Sequence, residues 1–283
     1  MLLGRRFQNP LILAAGTAGF GRELDGVIDL DRLGGLVTKA VSLEPRRGNA
    51  PPRVAEFRGG MLNSVGLANP GLERVRSDHL SWLASHLSRA HVLVNVVGFT
   101  VEEYGLVVSG LEGNSEVAAL ELNLSCPNTS AGGIEFGADP ECVRRIVSHC
   151  RARTRLPLVA KLSPVLPDIG TMALVARDAG ADAISVVNTF PGLLLARDGA
   201  ARLGHGTGGV SGPVLLPVGL LAVARVVERT GGMPVIGVGG VRSAADVRHY
   251  LKVGASLVGI GTAAMADPRL PERILRELER HDG

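Results

Sequence analysis

Eight short apolar runs recur along this chain: Pro10 to Ala15, Leu36 to Val41, Val92 to Val97, Ala118 to Leu124, Leu158 to Leu162, Ala183 to Val187, Val235 to Val238 and Leu257 to Ile260. Most are separated by segments with helical spacing or by turn signals. Runs of this kind suit parallel strands that are buried on both faces. Strands alternating with helices over roughly 250 residues make the pattern of a (β/α)8 barrel, the TIM barrel. Helical connectors are clearest at Pro140 to Arg153, Ile169 to Ala179, Pro213 to Arg229 and Ala244 to Val253. The last starts with Ser243 as an N-cap and Asp246 at the third helical position. No domain boundary breaks the pattern, so residues 1–283 read as one α/β domain. The stretches Glu44 to Gly60 and Leu193 to Gly209 are rich in Gly, Pro and Arg and lack helical periodicity. They read as long loops over the C-terminal face of the barrel.

Polar residues gather where these strands end. Thr17 follows the first run, Lys39 lies in the second, Asn95 in the third, and Asn123 and Cys126 mark the end of the fourth. Lys161 comes near the end of the fifth, Asn188 and Thr189 follow the sixth, Gly239 and Gly240 the seventh, and Gly261 and Thr262 the eighth. In a barrel such ends converge on the face where enzymes of this architecture build their sites.

Composition narrows the chemistry. Aromatic residues make up only 3% of the chain, so few rings are present to stack bases, and a pI near 9.0 is weak support for nucleic-acid binding. The balance of 30 basic against 27 acidic residues reads as a solvated surface. Three cysteines make no disulfide framework and fit a reducing compartment. The apolar stretch Leu11 to Ala15 is too short for the core of an export signal. The expectation is a cytoplasmic protein. The histidines are scattered, with no HxxxH or CxxC pairing, so no metal site is expected.

Gly237 to Gly240 and Gly259 to Thr262 close the seventh and eighth runs. These are the positions of the usual phosphate site of such barrels, where small residues let backbone N–H groups approach the ligand. Gly259 to Ala264 also matches a dinucleotide fingerprint, but the chain lacks the second strand and acidic ribose partner that the fingerprint requires. Cys126, between Asn123 and Asn128 in a Gly-rich stretch, reads as a reactive thiol rather than a packed one. Cys142 and Cys150 fall on one face of the following helix and read as core. Lys39 and Lys161 suit either a Schiff base or a cation facing a phosphate, a flavin pyrimidine edge or a carboxylate. Spacing leaves these alternatives open.

A further set of ordered motifs spans nearly the whole chain. They are Asn9 to Thr17, Thr38-Lys-Ala40, Met61 to Leu67, Asn95-Val-Val-Gly98, Asn123-Leu-Ser-Cys-Pro-Asn128, Lys161-Leu-Ser-Pro164, Asn188-Thr189, Gly209-Val-Ser-Gly-Pro213, Gly237-Val-Gly-Gly240 and Gly261-Thr262. In these the chain resembles the class 1 dihydroorotate dehydrogenases, and within them the 1B catalytic-subunit type. The resemblance implies FMN held by Thr17, Lys39, Ala40, Asn95, Asn123, Lys161, Val187, Gly212, Gly239, Gly240, Gly261 and Thr262. It implies dihydroorotate contacts from Lys39, Asn63, Ser64, Val65, Gly66, Leu67, Asn123, Asn188 and Thr189, with Cys126 as catalytic base. It implies oxidation of dihydroorotate to orotate in pyrimidine biosynthesis. It also implies a homodimeric core paired with a subunit that carries FAD and a [2Fe-2S] cluster and relays electrons to NAD. The stretch Phe190 to His205 diverges from the family pattern, and Ala15 stands where many members have Ser. Two competing readings are another FMN-dependent dihydropyrimidine oxidoreductase and a non-redox Schiff-base lyase on the same barrel.

Overall fold

The computed structural model of the chain describes residues 1–125 and 136–280. Eight parallel strands close into a barrel: β1 (Leu11–Leu13), β2 (Gly35–Val37), β5 (His91–Val96), β6 (Val117–Asn123), β7 (Leu158–Lys161), β8 (Ala183–Val186), β11 (Val235–Val238) and β12 (Leu257–Ile260). Each of the eight apolar runs contributes one of these strands. The ring order is β1-β12-β11-β8-β7-β6-β5-β2, and closure comes from β1, which pairs with β12 through Leu11↔Val258 and with β2 through Leu13↔Leu36. In this ring β5 and β6 lie opposite β11 and β12.

Side chains alternate along each strand, so every strand faces two cores. Inward, Ile12, Val37, Leu93, Ala119, Val159, Ala183, Ile236 and Leu257 fill the barrel floor. Outward, the larger core packs the strands against the surrounding helices. Those helices are α1 (Leu72–Arg74) and α2 (Ser81–His86), joined by the π-helical turn Val75–Leu80, then α3 (Val101–Leu111), α4 (Pro140–Arg151), α5 (Ile169–Asp178), α6 (Leu216–Thr230), α7 (Ala244–Lys252), α8 (Thr262–Ala266) and α9 (Leu270–Glu279). The connection from β1 to β2 has no α-helix and turns through the 3-10 segments Arg22–Leu24 and Leu30–Arg32.

Local chemistry explains where these helices begin. Thr100 accepts from Glu103 N at the start of α3, and the Glu103 carboxylate accepts from Phe99 N, a reciprocal cap. Asp139 caps α4 with Pro140 in its first turn, and Asp168 caps α5. Ser243 caps α7 through Asp246 N, as its spacing predicts. The helix expected from Pro213 begins at Leu216, because Pro213–Leu215 forms a 3-10 turn first.

The long stretches over the C-terminal face are more ordered than the sequence reading expects. β3 (Val54–Phe57), β4 (Gly60–Asn63), β9 (Phe190–Leu193) and β10 (Thr207–Ser211) form an antiparallel sheet in the order β3-β4-β10-β9. Residues of β3 and β4 come from the connection after β2, and those of β9 and β10 from the connection after β8. Because β2 and β8 stand opposite each other in the ring, this sheet joins two opposite parts of the barrel rim. Its own core is small, with Ala55, Leu62 and Leu203 buried and Leu194 and Val210 packed against them.

Candidate active site

The cavity at the C-terminal mouth has a volume of about 950 Å³ and lies between the strand ends and the added sheet. Every candidate cofactor and substrate residue named from the sequence lines it, apart from Cys126, which lies outside the described residues. The topology divides these residues between two sides.

On one side stand the ends of β11 and β12. Gly240 has φ +76°, and a Cβ there would lie 2.5 Å from Leu216 N, so the turn packs directly against the start of α6, which no side chain caps. Gly212 has φ +103°, and a Cβ on it would lie 2.8 Å from Gly60 Cα. These glycines allow backbone to approach backbone, which side chains would prevent. The Thr262 hydroxyl donates to Ser211 Oγ at 2.8 Å, and Thr17 Oγ1 donates to the Ile260 carbonyl at 3.4 Å. Glycine turns beside a helix start that no side chain caps suit a phosphate.

On the other side are the ends of β5, β6 and β7. Asn95 Nδ2 donates to Glu121 Oε1 at 2.7 Å, and Lys161 Nζ donates to the same oxygen at 3.3 Å. All three residues are buried, with Glu121 only 1% exposed. Lys39 differs from Lys161. Among the described residues no carboxylate lies within ion-pair distance of its ammonium, although it lines the cavity and is only half-buried. It is thus placed to meet an anion that a ligand brings.

Amide groups sit between the two sides. Asn188 Nδ2 donates to Asn123 Oδ1 at 3.1 Å, and Asn188 Oδ1 accepts from Thr189 N at 2.8 Å, fixing which face each amide presents. Asn63 Nδ2 donates to the Gly209 carbonyl at 3.2 Å, across the β4–β10 pair. Ser64 is held by Asn49 Nδ2 at 2.7 Å. Leu67 adopts φ +58°, a conformation that costs an L-residue roughly 1–2 kcal/mol. The segment from Asn63 to Leu67 is therefore held in a defined shape by β4, by Asn49 and by this strained residue. Arg46 stacks its guanidinium over Phe99, 4.1 Å from the ring centre, at the cavity edge.

A family model described as dihydroorotate dehydrogenase matches residues 1–281. The chain belongs to the dihydroorotate dehydrogenase family. It is 42% identical over 280 residues to a Pelobacter propionicus protein described as dihydroorotate dehydrogenase B (NAD(+)), catalytic subunit, covering 99% of this chain and 91% of that one. Proteins with the same description from Desulforudis audaxviator and Cutibacterium acnes are each 42% identical over 283 and 285 residues, covering 99% and 98% of this chain and 91% of theirs. The barrel superposes on a crystal structure of dihydroorotate dehydrogenase from Eimeria tenella in complex with ferulenol with a TM-score of 0.82, covering 98% of this chain and 82% of that chain. Identity to that protein is 22%, so it speaks for the fold.

Several residues of this family member escape motif reading. Glu121 lies within a run that reads as an apolar strand, yet it is two residues from Asn123 and so shares its inward face. Both tyrosines of the chain, Tyr104 on α3 and Tyr250 on α7, are fully buried outside the barrel. The Tyr104 hydroxyl donates to the Asn123 carbonyl at 2.6 Å, and Tyr250 donates to the Gly239 carbonyl at 2.7 Å. Nothing in a single sequence distinguishes them from ordinary core residues. Cys150 is buried, and desolvation pushes its thiol up to about 12, as its helical face predicts for an inert thiol. Among the described residues no cluster of His, Cys, Asp and Glu suits a metal ion, and no helix is long and apolar enough to cross a membrane.

Proposed function

We propose that this chain is the catalytic subunit of an NAD-linked dihydroorotate dehydrogenase that uses FMN to oxidise (S)-dihydroorotate to orotate in pyrimidine biosynthesis. The observation that carries the reading is one cavity with a glycine cradle on one side and an amide and ammonium set on the other, in a chain of this family.

The cavity fits FMN on its own terms. Gly212, Gly239, Gly240, Gly261 and Thr262 would hold the phosphate, on a turn whose shape depends on Gly240, since a Cβ there would meet the Leu216 backbone. Asn95, Asn123 and Lys161 would meet the ring end, with Thr17, Lys39, Ala40 and Val187 along the way. Ser125, which lines the cavity, has a buried Oγ with no hydrogen-bond partner among the described residues, as suits a wall completed by a ligand. When bound, FMN supplies the acceptor for the hydride that leaves the substrate.

The remaining chemistry belongs to the chain. Asn63, Asn123 and Asn188 offer donors and acceptors that match a neutral ring with two amide groups, while the Lys39 ammonium, which meets no carboxylate among the described residues, suits the substrate carboxylate. Ser64, Val65, Gly66, Leu67 and Thr189 complete the substrate wall. Cys126, assigned through the family motif, would take the proton from the carbon alpha to the ring carbonyl as its thiolate. Loss of that proton and of a hydride from the neighbouring carbon leaves the double bond of orotate.

The Schiff-base reading fares worse, since Lys161 is turned into the barrel against Glu121, with its Nζ engaged at 3.3 Å rather than presented as a nucleophile. In this reading, electrons leave the site to a second protein. The three cysteines of this chain cannot supply four thiolates once Cys126 is committed, and no dinucleotide fingerprint is acceptable. The relatives' description as a catalytic subunit supports the same reading. In it a homodimeric core of this chain docks a cytoplasmic partner that carries FAD and a [2Fe-2S] cluster.

The visible spectrum of the purified chain tests the proposal. A flavin spectrum that bleaches anaerobically with dihydroorotate is expected, with dye reduction but almost no NAD reduction until the partner is added. Colourless protein that takes up no added FMN would overturn it, and efficient NAD turnover by the single chain would overturn the partner assignment.

A further inference from the structure

The barrel interior is layered. Asn95, Glu121, Lys161 and Ser185 each stand two residues beyond a member of the apolar floor, namely Leu93, Ala119, Val159 and Ala183, and so occupy the next inward layer. Four adjacent strands thus place a polar layer directly above an apolar one. Lys161 and Asn95 line the cavity, whereas Glu121 lies behind them with both as partners of one carboxylate oxygen. Ser185, the register partner of Lys161, is fully buried, and its Oγ has no hydrogen-bond partner among the described residues.

A buried ion pair is a poor device for stability, because well-packed apolar residues of the same volume serve as well or better. What the pair does supply is an ammonium fixed in place at the cavity floor, with a countercharge behind it. Without that carboxylate, Lys161 would carry an uncompensated charge in a medium where charges interact strongly.

We infer that Glu121 is a positioning residue that anchors Lys161 and Asn95 against the ring end of the bound flavin and offsets the Lys161 charge felt there. This rests on the FMN reading of the cavity. A positive charge beside a flavin ring favours electron uptake. Glu121 therefore holds the midpoint potential of the flavin below the value that Lys161 alone would set.

The test is a set of midpoint potentials, measured by equilibration with reference dyes on FMN-loaded wild type, Glu121→Gln, Lys161→Met and the double variant. Glu121→Gln keeps an acceptor for Asn95 and removes the charge, so its potential is expected to be more positive than wild type. Lys161→Met is expected to be more negative, and the Glu121→Gln shift is expected to shrink on the Lys161→Met background, since part of the carboxylate's effect is its hold on the ammonium. A Glu121→Gln potential that equals or falls below wild type would overturn the inference, as would a shift undiminished without Lys161. Glu121→Asp covers poor folding of the first variant, because it keeps the charge but withdraws it by one methylene. It is expected to shift the potential in the same direction by less and to weaken FMN binding, and wild-type values for both would also overturn the inference. Failure of wild-type protein to bind FMN would instead overturn the cofactor reading beneath it.

Discussion

Tyr250 reaches inward from α7 to donate a 2.7 Å hydrogen bond to the carbonyl oxygen of Gly239, so a helix outside the barrel fixes the turn that ends β11. Two other glycines make room for it. A Cβ on Gly219 would lie 1.9 Å from the Tyr250 hydroxyl, and one on Gly237 would lie 2.3 Å from its ring. Burial, with the Asp246 carboxylate adding to it, holds the phenol above its ordinary range and keeps it a donor. The glycine turn is thus flexible by residue type but fixed by its neighbours.

Replacing Tyr250 with Phe should therefore loosen the cradle more than the fold. The lost hydrogen bond corresponds to about 0.5–1.5 kcal/mol, which is roughly a two- to tenfold rise in the FMN dissociation constant if it falls on binding. Fluorescence titration of the apoprotein with FMN measures this, and a thermal melt of the apoprotein measures any loss of stability. Equal FMN affinity in Tyr250→Phe and wild type would show that the turn is set by its backbone alone.

The two lysines at the cavity should differ in what they do when removed. Lys161 has Glu121 for a partner, whereas Lys39 has no carboxylate among the described residues, which leaves it to a substrate anion. Lys39→Met is expected to raise the KM for dihydroorotate roughly 10- to 100-fold, the worth of one charged hydrogen bond. A dye-linked assay on FMN-loaded protein gives that KM. A variant that loses FMN rather than substrate affinity would leave Lys39 to the flavin alone.

Cys126 should behave differently from the other two thiols. Cys150 is buried and held near 12 by desolvation, so it has almost no thiolate at neutral pH and should resist alkylation in the folded protein. Cys126→Ala should slow flavin reduction by dihydroorotate roughly 10²- to 10⁴-fold, the usual contribution of a positioned base, with flavin still bound. Stopped-flow reduction separates it from Cys142→Ala and Cys150→Ala, which are expected to match wild type. Normal reduction by Cys126→Ala would place the base elsewhere.

Much of this architecture is legible in the sequence because parallel barrel strands are buried on both faces, so Leu11–Leu13 or Val235–Val238 stands out as an unbroken apolar run. The added sheet is hidden for the opposite reason. Its strands include Phe-Pro-Gly-Leu at 190–193 and Thr-Gly-Gly-Val-Ser at 207–211, which read as turn formers, and Phe190 and Leu193 are exposed. Cross-strand partners such as Gly209↔Asn63, 146 residues apart, give these strands their order, and no local signal reports such pairing. Glu121 is masked in the same way by the apolar residues on either side of it. The strand-end residues Lys39, Asn123 and Gly240 are visible because polar or glycine residues there break an apolar run. Their supports, Tyr104 and Tyr250, look like core.

Asp31 should dominate the acid stability of the opposite, N-terminal face. Its Oδ1 accepts from Ser88 N, Arg89 N and Ala90 N at 2.9, 2.7 and 2.8 Å, and its Oδ2 accepts from Ser88 Oγ at 2.7 Å. One carboxylate thereby ties the β1–β2 connection to the turn that leads into β5. Desolvation works against its charge, but the hydrogen bonds from Ala90, Ser88 and Arg89 outweigh it and hold the group well below the usual carboxylate range. The sign follows from linkage. The native state keeps Asp31 ionised to lower pH than the unfolded chain does, so the group stabilises the fold above an unfolded pKa of ~3.9, and that contribution fades as pH falls toward the lower native value. Asp31→Asn should cost about 1–2 kcal/mol at neutral pH, because uncharged Asn provides a weaker acceptor and turns an amine toward N–H donors. Urea melts of wild type and variant at about pH 7 and about pH 3 measure the difference, which should be larger at the higher pH. A gap that widens on acidification would show that the carboxylate is not the group that holds this corner.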